Sequence, residues 1–279
     1  MEHVERHYDG AKHGVSAEER LRGPAAPMKQ YHNSAKRQLY ASLVPSPRAS
    51  SRLLDIGVGR GGDVRKWVDL GVGFVKGYDV SSTELKEARR RAKSYDLPCK
   101  FETTKNLGKK TWQDADGPFQ AASCMFALNY FFDDETTARN LLSFVYDNLV
   151  PGGAFFGVVC DASRVNEVLM DGTPIGDGVQ LVAKWSGMPG PFGAAYTLSI
   201  EDTVVDSESL VEYLVYEDVL HALARSVGFR VDRPFVRLAQ TYEGKPGLTI
   251  ATSLYASFVL RKPIDMPPSG CSTTSQHGT

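Results

Sequence analysis

Cysteine is scarce in this chain and never paired. Cys99, Cys124, Cys160 and Cys271 are the only four in 279 residues, and their wide spacing gives neither a disulfide framework nor a zinc site. Plain thiols are expected. No segment approaches the roughly 18 consecutive apolar residues of a spanning helix, and the charged N-terminus lacks the apolar stretch of a secretion signal. These absences lead us to expect a soluble, intracellular protein with no membrane partner. Charge of one sign is also missing: 32 Lys and Arg against 33 Asp and Glu leave a formal net charge of -1. Holding nucleic acid by bulk electrostatics takes many phosphate contacts, so any RNA must be gripped locally.

Glycine, by contrast, is concentrated where it matters. Leu53-Leu54-Asp55-Ile56 reads as a short buried strand, and Gly57-Val58-Gly59-Arg60-Gly61-Gly62-Asp63 lets the backbone turn sharply before a helix begins. This pattern suggests a nucleotide-like ligand. It is not the dinucleotide fingerprint, whose third glycine falls later, and Asp55 would sit badly beside an anionic pyrophosphate. An acid there suits a cation, such as the amino group and sulfonium of S-adenosylmethionine. Phe74-Val75-Lys76-Gly77-Tyr78-Asp79 reads as the next strand, and its terminal carboxylate falls about 20 residues past the glycines, where doubly wound folds place a ribose-hydroxyl acceptor. A lone glycine loop is also an ordinary strand-to-helix turn. Asp55 and Asp79 bracketing the helix shift the reading to a nucleoside cofactor.

The rest of the chain is read in order. Residues 1–30 form a polar N-terminal arm, and a helix over 33–43, capped by Ser34, stops before Pro45. Strands are expected at 52–56, 74–79, 100–103 and 121–128, with helices at 62–70, 82–94 and 134–149. A turn at Pro151-Gly152-Gly153 then leads to the run 154–159. Such alternation predicts an α/β, Rossmann-like fold with a mostly parallel sheet covered by helices on both faces. Residues from about 170 to 212 are glycine-rich and read as an inserted antiparallel excursion, followed by a helix at 217–227 and strands at 229–236 and 254–260. The main domain thus covers 31–262, and 263–279 is a proline-, serine- and threonine-rich tail expected to be disordered.

Several motifs occur together in a fixed order. They are His7-Tyr8, Asn33 with Lys36, Leu54 to Asp63 with Lys66-Trp67, Gly77-Tyr78-Asp79-Val80, Phe126-Ala127-Leu128-Asn129-Tyr130 and Leu149-Val150-Pro151-Gly152-Gly153. Phe192-Gly193, Glu212-Tyr213-Leu214-Val215-Tyr216 and Ser253-Leu254-Tyr255 complete the series. From His7 to Lys262 the chain resembles the mRNA cap guanine-N7 methyltransferases, class I enzymes dependent on S-adenosylmethionine. The resemblance implies cofactor contacts from Lys36, Asp55, Gly57, Gly59 and Asp79. It also implies capped RNA as substrate, bound by Asn33, Arg60, Arg91, Phe126, Asn129, Tyr130, Glu212 and Tyr255. Of these, Asn129, Tyr130, Glu212 and Tyr255 would orient the base, a carboxylate accepting from the N1 and amine edge of guanine while the tyrosines stack and hydrogen-bond. No metal and no proton-transfer residue are expected, because N7 carries a lone pair and the sulfonium methyl is a good electrophile.

The chain departs from the family pattern at four positions. Asn129 stands where the family has a histidine that touches the base, Leu107 where it has a tyrosine near the cap, and Lys105-Asn106 where it has Asp-Ser near the adenine. An Asn followed by an aromatic at this strand end is also loosely similar to methyltransferases of exocyclic amines. Methylation of another cap-proximal position, such as the N6 amine of the first transcribed adenosine, is therefore an alternative. A non-catalytic subunit that keeps the fold, and a small-molecule methyltransferase, are two more. No guanylyltransferase or triphosphatase domain is evident, so earlier capping steps are expected on separate chains. Residence is expected to be nuclear for a cellular enzyme and cytoplasmic for a viral one.

Overall fold

A computed structural model describes residues 4–5, 23–172, 175–201 and 210–264. The His7-Tyr8 motif and the tail from Asp265 onward lie outside the described residues, as does Cys271.

Seven strands form one sheet in the order β3-β2-β1-β4-β5-β10-β9. β1 (Arg52–Ile56), β2 (Phe74–Asp79), β3 (Cys99–Thr103), β4 (Phe119–Met125) and β5 (Leu149–Cys160) run parallel. β10 (Tyr255–Arg261) lies antiparallel between β5 and β9 (Arg230–Arg237). The chain builds β1, β2 and β3 outward in one direction and then returns to place β4 against the other edge of β1. The C-terminal ends of β1 and β4 are therefore where the order reverses, the place at which open α/β sheets leave a crevice.

Strand periodicity sorts the side chains to two faces. Leu54, Ile56, Phe155 and Val159 pack with α4 (Glu135–Asn148) and α6 (Glu217–Val227). Leu53, Phe156 and Val158 pack with α1 (Ala26–Leu43), α2 (Val64–Leu70) and α3 (Ser82–Lys93). On α1, Met28, His32, Leu39 and Tyr40 are buried at helical spacing, and Tyr40 meets Trp67 and Phe156 edge-on.

Several boundaries correct the sequence reading. α1 begins at Ala26, with Pro27 in its first turn and no side-chain cap, so Ser34 is a mid-helix residue and not its start. The last residues of the expected arm belong to this helix, where Ala25, Ala26 and Met28 are buried. β4 ends at Met125 because Phe126 adopts φ +61, after which a 3-10 turn takes over at Leu128–Phe131. Pro151-Gly152-Gly153 lies within β5 as a bulge: Leu149 faces Phe119 and Ala154 faces Ala121, so β5 carries the extra residues.

Two helices were not anticipated, α5 (Ala162–Asp171) and α7 (Pro246–Ser253). The expected antiparallel excursion is present as a second sheet, β6-β7-β8, made of β6 (Val179–Ala183), β7 (Ala195–Ile200) and β8 (Val211–Tyr213). No helix among the described residues is long and apolar enough to cross a membrane.

Candidate active site

The loop after β1 is stitched to the end of β2. Gly57 N–H donates to the Tyr78 carbonyl at 2.8 Å, and Gly59 N–H donates to Asp79 Oδ2 at 2.8 Å, while Ser81 N–H holds Asp79 Oδ1 at 2.9 Å. Gly57 has φ +77, and a Cβ there would come within 2.7 Å of Ala127, so the loop reaches the 126–130 segment only as glycine. A Cβ on Gly59 would meet nothing within 4 Å, which leaves its face open to a ligand.

These groups border a cavity of about 350 Å³ at the strand-order reversal. Lys36 of α1, Gly57, Gly59, Arg60, Asp79, Glu84 and Arg91 line it from one side, with Leu107, Met125, Phe126 and Tyr130 across from them. Val4 also contributes to the wall.

Beneath the loop lies a buried polar cluster. Asp63 takes Lys36 Nζ at 2.6 Å and Lys66 Nζ at 2.8 Å. Burial opposes its charge, but the two ammonium groups prevail and hold its carboxyl below the usual value. Asp55 has no such partner. Burial, reinforced by the charge of Asp63, pushes its carboxyl up to about 8, although Ser123 donates to it at 2.5 Å. Sequence reasoning singled out Asp55 and passed over Asp63, whose signal was an acid directly after a double glycine at a helix start. Of the expected cofactor residues, Lys36, Gly57, Gly59 and Asp79 line the cavity, while Asp55 lies below it among the charges.

A second group converges at the far end. The Phe126 and Tyr255 rings meet edge-on at 4.9 Å between centroids. His32 packs against both, at 5.5 and 5.4 Å, with its Nε2 buried and without a hydrogen-bond partner. Burial and the charge of Lys36 lower His32 to about 4, so the ring is neutral. This histidine was not picked out from sequence, where it stands inconspicuously before Asn33.

Tyr130 Oη and Glu212 Oε1 are 3.5 Å apart, and Tyr196 Oη donates to Glu212 Oε2 at 2.6 Å. Burial pushes Glu212 up to about 7 against the effect of these two hydroxyls. Asn33 lies on α1 between His32 and Lys36, partly exposed. Arg60 reaches Glu84 at 3.4 Å and is held loosely, while Arg91 pairs closely with the partly exposed Glu87 at 2.7 Å, both at the cavity wall.

Asn129 is placed differently from its neighbours in sequence. It is 2% exposed, outside the cavity lining, and its amide is bonded to protein on both ends: Cys160 N–H donates to Oδ1 at 3.2 Å, and Nδ2 donates to the Tyr213 carbonyl and Tyr196 Oη, each at 3.1 Å. Leu107 is buried in the wall, and Lys105 pairs with Glu5 at 2.5 Å. Among the described residues no group of His, Cys, Asp and Glu is arranged to hold a metal ion.

Comparison with known proteins is consistent with this geometry. The family model described as the mRNA (guanine-N(7))-methyltransferase domain matches residues 1–235. An mRNA cap guanine-N(7) methyltransferase 1 of Oryza sativa subsp. japonica is 30% identical over 236 residues, covering 76% of this chain and 62% of that one. The mRNA cap guanine-N(7) methyltransferase of Saccharomyces cerevisiae is 25% identical over 252 residues, 82% of this chain and 56% of its own. The chain therefore spans about three-fifths of the length of these relatives. Among solved structures, an S-adenosylmethionine-dependent methyltransferase from Clostridium acetobutylicum superposes with TM-score 0.56 at 13% identity, covering 85% of this chain and 92% of that one. The CcbJ methyltransferase of Streptomyces caelestis gives 0.58 at 17% identity, over 86% and 92%. These two share the fold of class I S-adenosylmethionine-dependent methyltransferases.

Proposed function

We propose, since the chain belongs to the mRNA (guanine-N(7))-methyltransferase domain family, that it transfers a methyl group from S-adenosylmethionine to N7 of the guanosine cap of mRNA. The observation that carries this reading is that Phe126 and Tyr130 line the same cavity as Asp79 and are backed by Tyr255 and Glu212 respectively, which lie outside its lining.

The residues present fit the cofactor. Asp79, its two oxygens steered by Gly59 and Ser81 N–H groups, offers lone pairs to ribose hydroxyls, and the open face of Gly59 admits the nucleoside. Lys36 lines the same cavity and, with Asp63 at 2.6 Å behind it, would meet the charged amino acid moiety of the cofactor. When bound, the cofactor supplies an electrophilic methyl on sulfur. The protein's part is alignment and exclusion of water, worth several orders of magnitude without any proton transfer.

Glu212 can contribute more than binding. As the N7 lone pair takes the methyl, positive charge spreads over guanine and makes its N1–H more acidic. A carboxylate accepting that proton in a hydrogen bond therefore binds the transition state more tightly than the ground state. Arg60 and Arg91 would meet the cap polyphosphate by exchanging Glu84 and Glu87 for it.

The amide of Asn129 supports N7 over an exocyclic amine as acceptor, because the carbonyl that an amine would need is taken by Cys160 N–H. Earlier capping steps on separate chains and nuclear residence belong to the same proposal.

Two short RNAs, one with an unmethylated guanosine cap and one with an N7-methylated cap followed by adenosine, test it by mass spectrometry of released nucleosides. One added methyl on the cap guanine of the first is expected. Methyl only on the adenosine of the second would overturn the assignment. In the same assay Asp79→Ala should weaken cofactor binding about tenfold or more. Glu212→Ala should lose transfer while cofactor binding persists.

A further inference from the structure

The hydrogen bonds around Asn129 have only one consistent direction. Cys160 N–H can only donate, so the amide atom that faces it must be Oδ1. Nδ2 then faces the Tyr213 carbonyl, which can only accept, and gives it one proton. The second Nδ2 proton goes to Tyr196 Oη at 3.1 Å, nearer than the Cys160 carbonyl at 3.5 Å, so the Tyr196 oxygen accepts from Asn129 and its own proton is directed onward. The strongest acceptor within its reach is Glu212 Oε2 at 2.6 Å.

We propose that Asn129 and Tyr196 form a hydrogen-bond relay of fixed polarity, anchored on the backbone of Cys160 and Tyr213, that keeps Glu212 an acceptor and aims it at the base. Tyr196 is a positioning residue, lying on β7 in the glycine-rich excursion, and it is itself fully buried. The relay rests on the reading of Glu212 as the guanine-edge acceptor and adds what makes that acceptor dependable. A carboxyl surrounded by protein tends to keep its proton, and a protonated Glu212 would present a donor to the guanine N1–H. Donation from Tyr196 opposes that protonation. It also occupies one carboxylate oxygen and leaves Oε1 on the side of Tyr130, itself a residue of the cavity wall.

The other groups around Glu212 do not replace this donor. Tyr130, from the 3-10 turn, is 3.5 Å away. Cys160 of β5 is a thiol that burial keeps neutral; the Tyr196 and Tyr255 hydroxyls both lie against its sulfur, a weaker acceptor for the Tyr196 proton than the Glu212 carboxylate. Asp161, next along, is occupied with Ser163 N–H at 3.0 Å and Arg237 at 3.4 Å. On β8 itself, burial raises the Tyr213 phenol, which stays neutral.

The test measures kcat and KM for a short capped RNA against pH, at saturating S-adenosylmethionine, with cofactor Kd measured alongside. Tyr196→Phe is expected to leave cofactor Kd within twofold and raise KM for the capped RNA about tenfold. The acid limb of kcat/KM should move up by about one pH unit, the effect of removing one hydrogen bond to a charged group. An unmoved acid limb overturns the relay. If Tyr196→Phe does not fold, 3-fluorotyrosine placed at position 196 keeps the shape and strengthens the donor. The acid limb should then move down, and no shift overturns the relay equally. Glu212→Gln separates the two layers: wild-type kcat/KM with its acid limb intact would sink the nucleobase reading itself. Loss of activity in Glu212→Gln with no shift at position 196 would sink the relay alone.

Discussion

Two carboxylates share the buried space below the glycine loop, and their partners decide which keeps its proton. Asp63 has Lys36 and Lys66, whereas Asp55 has a serine hydroxyl and a negative neighbour. The folded-state value of Asp55, about 8, lies above its ordinary 3.8, so between those limits the folded protein holds a proton that the unfolded chain has released. Its contribution to stability is present at low pH and is lost as pH rises through about 8. A cationic ligand placed nearby favours the ionised form and lowers that value. Binding should then release a proton, and cofactor affinity should rise with pH from about 6 to 8. Calorimetry in two buffers of different ionisation enthalpy counts the proton directly. Asp55→Asn should remove both the release and the slope, and a wild-type slope in that variant would place the titrating group elsewhere.

At the scale of elements, the first half of the sheet was legible because local signals and tertiary demands agree there. Ser81 caps α3, accepting from Glu84 N–H at 3.1 Å, and the capped helix carries Glu84 and Arg91 to the cavity. Ser81→Ala should therefore cost about 1 kcal/mol, seen as a lower Tm, and should weaken capped-RNA binding more than an equally destabilising change elsewhere. An unchanged Tm would mean the cap contributes nothing. α5 was missed for a physical reason: only Ala162 and Val165 are buried on it, while Met170 is 87% exposed, so its apolar periodicity is thin although Asp161 caps it. α7 is eight residues long and opens on Pro246, which reads as readily as a turn. The site followed the same division. Gly57, Gly59 and Asp79 announce themselves by spacing, but the meeting of Asn129 with Tyr196, 67 residues apart, exists only once β7 has folded back.

For the whole molecule, the balance of charge sets how RNA can be held. A net charge of -1 gives no field to gather a polyanion, and the cations offered at the cavity wall are Lys36, Arg60 and Arg91. Lys36 is committed to Asp63 at 2.6 Å, which leaves two arginines whose present partners are looser or partly exposed. If those two supply the phosphate contacts, log affinity for capped RNA should fall with log salt at a slope of only about -1.4, from roughly 0.7 per phosphate neutralised on a single strand. On the same premise, affinity should also change little between a capped dinucleotide and a capped RNA of some twenty nucleotides. Arg60→Ala and Arg91→Ala should each weaken binding and flatten the slope by about half. A slope several times steeper, or a large gain with RNA length, would mean that cations beyond this cavity grip the transcript and that recognition extends past the cap.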